Sequence, residues 1–445
     1  MNPFVINSFS PKAEILARTA TGNTYSLTNA AISLSTIRST DGGAGAFHIS
    51  LTADKDSHGL MWSDKIRPMD YIEIRAGNKL VNGKPPMRMR GFVDFSGEQF
   101  LVNQTGGPTR SMVVTGRDYT KLFMSQNIQY LWSQSLSTDG NYPGLALNFG
   151  VPADGQTTVM QIMNTILQDV FLGKGPKGRD LAFLPNYRMA TGINIPDIVP
   201  FLIMPSQFQA QFFAIGAYTG AFWNLMQYLV SAPLGELFFY DTEQGPIMTF
   251  RVAPLKDQSG KIVPPAQNPE LSTIKLDTAV ASAYNIGRSD QDVLNYFFSL
   301  SDAASSGGGS SAPAFMSPNI DLETWTPYAG GGTGKNPYWN PKSVRKFGLR
   351  PLNVETPWLQ LINLKDLSAV QVAVQLSNYL GAVYGHNEEL LSGTIVCHGD
   401  ENLIPGRYMQ FNGHEYYLEQ VQDDFEFKGS SSPSWTATLT VTRGQ

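Results

Sequence analysis

The chain is short of charge, cysteine and uninterrupted apolar sequence, and each shortage removes a class of protein. Charged residues make up 16% of its 445 positions and the formal net charge is -5. A nucleic-acid-binding surface needs clustered Lys and Arg, and no such cluster is present. A single cysteine, Cys397, excludes an internal disulfide framework. The first residues, Met1-Asn2-Pro3-Phe4-Val5, lack the charged and apolar regions of a signal peptide. The most apolar region, 195–230, is broken by Pro200, Pro205, Gln209, Gln211 and Gly216, so it reads as core rather than a membrane span. What the chain has instead is 11% aromatic residues with 42 Gly and 28 Pro, a composition suited to β structure with many loops. Its length allows about two to four domains.

An ordered internal echo organises the sequence. Ile66-Arg67-Pro68-Met69-Asp70-Tyr71-Ile72-Glu73-Ile74 near the start matches Leu403-Ile404-Pro405-Gly406-Arg407-Tyr408-Met409-Gln410-Phe411 near the end, with Pro and Tyr in the same places. A second alternating stretch follows in each copy, 89–95 and 416–422. A third closes each copy, Met112-Val113-Val114-Thr115-Gly116-Arg117 and Leu439-Thr440-Val441-Thr442-Arg443-Gly444. This reads as one small β domain present twice, each with enough strands for a small closed barrel. The fold class expected is α+β, mainly β, with two tandem small β-barrels and an inserted helical, mixed region. The boundaries read as 1–118 for the first barrel, 119–270 for the mixed insertion and 271–302 for the start of the second barrel. A Gly/Ser-rich excursion with a helix spans 303–390, and 391–445 completes the second barrel.

Periodicity fills in the middle. Val159, Met163, Ile166, Leu167 and Val170 recur at helical spacing, with Asp154 as the expected N-cap and Gly173 as the stop. Phe222, Leu225, Met226, Leu229 and Val230 mark a second helix, and 366–380 a third. The stretches 237–240 and 247–252 read as a hairpin, and 283–286 and 293–300 as strands. In 435–442, Trp435, Ala437, Leu439 and Val441 share one face of a strand, while Thr436, Thr438, Thr440 and Thr442 share the other.

Motifs that would carry catalysis fail on inspection. Gly330-Gly331-Gly332-Thr333-Gly334-Lys335 suggests a phosphate loop, but Ala329 stands at the first Gly position and Asn336 where Ser or Thr must hold magnesium. The five histidines, His48, His58, His386, His398 and His414, have no partner at metal-site spacing. Cys397 and His398 are neighbours, so on a strand they face opposite ways. Glu388-Glu389 and Asp423-Asp424 are carboxylate pairs of the type a glycosidase uses, and read as solvated charges in loops. Arg117-Asp118 reads as a structural hinge, with Asp118 capping the turn 119–123 and Arg117 pairing locally. No catalytic, cofactor or metal residue is assigned.

Val113-Val114-Thr115-Gly116-Arg117-Asp118, followed by Leu122, resembles the segment that closes the first barrel in baseplate central hub proteins of contractile-tailed phages, the phage Mu-type hub and late-control tail protein family. Trp223-Asn224-Leu225-Met226, 237–245, Gly399-Asp400, Pro405-Gly406, Tyr416-Tyr417 and 438–444 resemble the same family in order. The 303–340 excursion falls outside the pattern. The resemblance implies tube-type barrels, a homotrimer forming a pseudo-sixfold ring, and a location in the virion tail baseplate after synthesis in the host cytoplasm. It implies no enzymatic role, no cofactor and no membrane. The implied partners are a tail-tube or tube-initiator protein, a central spike, baseplate wedge proteins and the tape-measure protein, with DNA passing through the channel without specific binding. Thr436, Thr438, Thr440 and Thr442 are then candidates for a lumen or interface. Two other readings stand beside this one: a peptidoglycan-lytic tail protein, and a carbohydrate-binding module using Trp325, Tyr328 and Tyr338.

Overall fold

The computed structural model describes residues 11–55, 59–102, 108–130, 157–174, 182–203, 211–212, 218–263, 273–301, 320–321, 326–327, 338–356, 369–427 and 433–445. The chain opens with β1 (Lys12–Arg18), β2 (Ala31–Ser39), β3 (Ala46–Thr52), β4 (Tyr71–Gly77), β5 (Met87–Val102) and β6 (Pro108–Arg117). Helices α1 (Thr120–Ser125), α2 (Val159–Thr165), α3 (Phe183–Thr191) and α4 (Phe222–Val230) follow, then the antiparallel hairpin β7 (Gly235–Asp241) and β8 (Pro246–Val252). Next come β9 (Ala281–Gly287), β10 (Tyr296–Ser301), β11 (Pro351–Thr356) and α5 (Ala369–Tyr384). The chain ends with β12 (Leu391–His398), β13 (Arg407–Phe411), β14 (His414–Glu426) and β15 (Ser434–Gly444).

Among the described residues one 13-stranded sheet takes strands from both halves of the chain, in the order β9-β12-β15-β14-β2-β3-β6-β5-β4-β1 and then the short strand Thr24–Ser26, with β13 beside β14 and the short strand Ile274–Lys275 beside β13. Chain neighbours pair within each half. The halves join through β14 and β2, antiparallel from Gln420 opposite Ser39 to Glu426 opposite Ser33. The sheet curls around two apolar clusters. The first holds Ile15, Leu34, Ile49, Ile74 and Val114, and the second Ile395, Leu418, Val421, Leu439 and Val441. The first cluster is completed by Phe425, Phe427 and Trp435, which the second half supplies. Among the described residues, strand pairing closes neither half on itself, and the hydrogen-bonded path is open at both ends.

The repeat is carried by the backbone as well as by the sequence. The order β2-β3-β6-β5-β4 in the first block matches β9-β12-β15-β14-β13 in the second. Bulges fall at matching places: between Ala31 and Ser33 and between Ala281 and Ala283, then between Val93 and Phe95 and between Leu418 and Gln420. The shared Pro-X-X-Tyr turn has one geometry. Met69 and Gly406 follow the prolines at φ 73° and 83°. The Met69 amide donates to Val93 O at 2.8 Å, and the Gly406 amide donates to Leu418 O at 2.8 Å. Glycine adopts this left-handed conformation freely, whereas methionine does so against a steric cost.

The turn aims the shared tyrosines outward. Tyr71 and Tyr408 both leave their own blocks and enter a third, larger core built by the middle of the chain. There Val159, Ile162 and Met163 of α2 pack with Trp223, Leu225, Met226 and Leu229 of α4 and with Leu237, Phe239 and Phe250 of the hairpin. Trp223 is fully buried and its indole N–H donates to Gly42 O at 3.0 Å. Burying an aromatic of this size contributes roughly 4–6 kcal/mol. Helix α2 is capped by Thr158, which exchanges hydrogen bonds with Gln161. Asp154, the expected cap, lies outside the described residues. A π-helical stretch, Ile166–Leu172, continues α2 and stops at Gly173 with φ 65°.

The expected start of the second barrel divides. Strand β9 joins the large sheet, whereas β10 pairs in parallel with β11 and antiparallel with Tyr338–Trp339 in a separate sheet. Apolar residues on β10 explain the division: Tyr296 and Phe297 are buried, and Phe297 joins Leu376, Leu380 and Val383 of α5 in the middle core. Among the described residues no helix is long and apolar enough to cross a membrane.

Candidate assembly surface

The alternation of β15 sets the outer face. Trp435, Ala437, Leu439 and Val441 are buried, while Thr436 is exposed and Thr438, Thr440 and Thr442 are half-buried. Register extends this face sideways. Thr440 stands between Thr394 and Gln420, Thr438 between Val396 and Gln422, and Thr436 between His398 and Asp424. The rows cross the junction to Ser39, Ile37 and Ser35. Side chains here are hydroxyls and amides with Val396 and Ile37, and Asp424 and His398 are the carboxylate and the imidazole. Thr442 departs from the other three. The bulge between Leu418 and Gln420 puts it opposite Tyr417, at the wall of a cleft shared with the middle of the chain.

Asp423 and Asp424 do not form a solvated pair. They lie on β14 with opposite orientations: Asp424 is half-exposed, and Asp423 is fully buried at the junction. One oxygen of Asp423 accepts from Arg38 at 3.0 Å and from Arg88 at 2.7 Å, and the other accepts from the Trp435 indole at 3.0 Å. Arg38 and Arg88 both also donate to Leu403 O, and Arg88 reaches Glu401 O at 2.9 Å. Burial, then the neighbouring Arg88, brings the Arg38 pKa down to about 10. Both arginines belong to the first block and their acceptors to the second, so this cluster staples the two together. The sequence held a sign of it. Arg38 and Asp423 sit at the apolar positions of alternating strands, in phase with Leu34 and with Val421 and Phe425, where a charge requires a buried partner.

Similar clamps hold the hairpin to both blocks. Arg90 pairs with Asp241 at 3.1 Å on one side. Arg251 pairs with Glu236 at 2.9 Å and donates to Gly406 O at 2.7 Å on the other. Tyr417 donates to Glu236. Glu236 and Tyr417, with Thr40, Gln227, Tyr384 and Arg443, line a cleft of about 580 Å³. In the cleft Arg443 donates to Val383 O, Lys256 O and Asn387. Glu388 accepts from Ser343 Oγ at 2.9 Å.

At the end of the first block, Arg117 Nε donates to Asp94 at 2.7 Å, and Lys121 pairs with the other Asp94 oxygen at 3.0 Å. Asp118 is buried. It accepts from the Gly45 amide at 3.0 Å and from the Thr120 amide at 2.9 Å, which ties the start of α1 to the β2–β3 turn. Burial pushes its pKa up to about 7. Cys397 is a core residue whose thiol burial pushes up to about 12, and His398 next to it faces out. Among the described residues no group of His, Cys, Asp and Glu could hold a metal ion. Residues 330–335, His58, Trp325 and Tyr328 lie outside the described residues. Tyr338 packs against Phe297 in the small sheet.

No family model and no curated protein matches the chain. Among solved structures, it is similar to the 43 kDa tail protein of prophage MuSo2 from Shewanella oneidensis, with a TM-score of 0.50, 13% identity, and 98% of each chain covered. The chain shares that fold. A tail protein from Neisseria meningitidis also aligns, with TM-score 0.46, 10% identity, and 97% of each chain covered. Prophage tail protein gp18 from Listeria monocytogenes aligns with TM-score 0.43 and 10% identity, over 96% of this chain and 94% of that one.

Proposed function

We propose that the chain is a structural protein of a phage tail or a related contractile particle, and that it serves there as the central baseplate hub. The observation that carries this reading is the fused repeat. One chain presents two blocks with matching strand order, bulges and turns, joined edge to edge in one sheet. Three such chains arranged head to tail form a ring of six similar blocks, which adapts a six-fold tail tube to a three-fold spike. The fold shared with a prophage tail protein supports the tail assignment. The reading carries no catalytic role and no cofactor.

In the ring, Thr436, Thr438 and Thr440 face the lumen, and the tape-measure protein and then DNA occupy it. A wall of hydroxyls and amides offers phosphates no counter-charge, so DNA passes without being held. The tail tube or tube initiator, the spike and the wedge proteins are the neighbours in the virion baseplate. The test is native mass of the purified chain, alone and with the spike protein. Three chain masses are expected; a monomer under both conditions rules the hub out.

A further inference from the structure

The two blocks meet inside one chain, and the same two surfaces recur unpaired at its ends. Within the chain, β14 of the second block receives the free edge of β2 from the first. The repeat makes β5 the counterpart of β14, and β9 the counterpart of β2. Both counterparts have open edges. Beyond Val93, β5 pairs only with β6, and β9 pairs only with β12, among the described residues. We infer that β5 of one copy pairs with β9 of the next, in the register that β14 and β2 use within the chain. This rests on the ring reading and names its interface.

Matching bulges fix the register without adjustment. Aligning them sets Phe95 to Phe100 on Gln420 to Phe425, and Ala283 to Ser289 on Ser33 to Ser39. The internal pair Phe425 and Leu34 then becomes Phe100 and Tyr284 between copies. The internal pair Asp423 and Arg38 becomes Glu98 and Arg288. Chemistry is kept at both positions: apolar opposite apolar, and acid with arginine.

Exposure separates the paired surfaces from the waiting ones. Phe425 and Leu34 are each 1% exposed, whereas Phe100 is 55% and Tyr284 60% exposed. Tyr284 lies against Phe411 at the open side of the second core. In the first block that side is sealed by Phe425, Phe427 and Trp435 from the second. A neighbour's β5–β6 hairpin seals the second block in the same way. Among the described residues Glu98 has a long 3.7 Å contact with the exposed Arg110, and Arg288 donates to a backbone carbonyl, Glu389 O, at 3.0 Å, so neither is matched to a buried opposite charge. Two apolar open strand edges are an aggregation hazard unless they pair. A head-to-tail contact between unlike surfaces closes into a ring when its rotation allows.

Two experiments on the full chain test this, both read by native mass. Gln99 and Asn285 fall directly opposite in the inferred register. Antiparallel Cα partners lie about 4.5–5.5 Å apart, within disulfide reach. The double variant Gln99→Cys/Asn285→Cys is expected to cross-link between copies on oxidation, and Gln99→Cys/Ala283→Cys, one strand repeat out of register, is not. Glu98→Arg and Arg288→Glu are each expected to weaken association about tenfold or more, and to restore it when combined. A three-chain ring without the cross-link and without the charge rescue overturns this interface and leaves the ring standing. Cross-linking in an assembly of another size overturns the three-chain ring and leaves the interface. A wild-type chain that does not assemble, with a Gln99→Cys/Asn285→Cys variant that does not cross-link, overturns both.

Discussion

Asp423→Asn should be among the most damaging conservative changes in this chain, although its neighbour Asp424→Asn should hardly matter. The side chain is fully buried between Arg38 and Arg88, themselves 3% and 2% exposed. One oxygen takes both guanidinium groups and the Thr36 hydroxyl, and the other takes the Trp435 indole. Asparagine keeps the volume and removes the charge. Whichever way its amide turns, one donor faces donors. Either the NH2 group meets two guanidinium groups, or it meets the indole N–H. Two buried positive charges then lack a counter-ion. Breaking a buried ion pair by removing one partner costs about 3–5 kcal/mol. Asp424 is half-exposed and bonded to Gln422, so its loss should cost about 0.5 kcal/mol or less. Urea is the right denaturant, because a salt would screen the charges under test. Tryptophan fluorescence follows the unfolding, and Trp435, which stacks on Phe425 and lies under Arg88, is one of the seven tryptophans that contribute. A loss below about 1 kcal/mol in Asp423→Asn, or equal losses in both variants, would refute the claim that this cluster staples the two blocks.

Three further outcomes are expected. Asp118 has a raised folded pKa, so its contribution to stability is full below the unfolded value and is lost as pH rises through about 7. The urea stability of Asp118→Asn minus that of wild type should therefore grow between about pH 4 and pH 7.5; a constant difference would contradict the burial argument. Gly406→Ala places a Cβ 2.6 Å from the Arg251 guanidinium and 2.8 Å from the Phe238 ring, at φ 83°. A loss of about 1–3 kcal/mol in urea unfolding is expected, and a neutral result would mean that the turn relaxes freely. Thr438→Lys with Thr440→Lys should leave the fold intact, since both positions are on the outer face. It should reduce infectivity in a plaque assay; unchanged infection would place the threonine face away from the lumen.

How much of this was legible depended on whether a feature is local. The alternation of Trp435 to Thr442 declares both faces of β15 from five or six residues. The Pro-X-X-Tyr echo marked the repeat because proline, the following left-handed residue and the outward tyrosine form one short turn. Helix α2 was legible in its periodicity, although the expected cap was Asp154 and the cap of the described helix is Thr158, a residue type that also caps well. Partners were not legible. The strand read over 293–300 has ordinary β character, yet nothing local says that β11 rather than β9 lies beside it. The bulges that align the two blocks depend on what each strand pairs with. Asp423 was misread because adjacent acids suggest a loop. The better clue was its parity, shared with Val421 and Phe425 and matched by Arg38 on β2. Thr442 shares the parity of Thr436 to Thr440, but the bulge on the adjacent strand turns its surroundings into a cleft.

The central claim is that this chain builds a ring, and electron microscopy class averages of the purified protein, alone and with its spike, test it most directly. Three chains forming six similar lobes around an open centre are what the account expects. Compact single-chain particles without a hole under both conditions would contradict it.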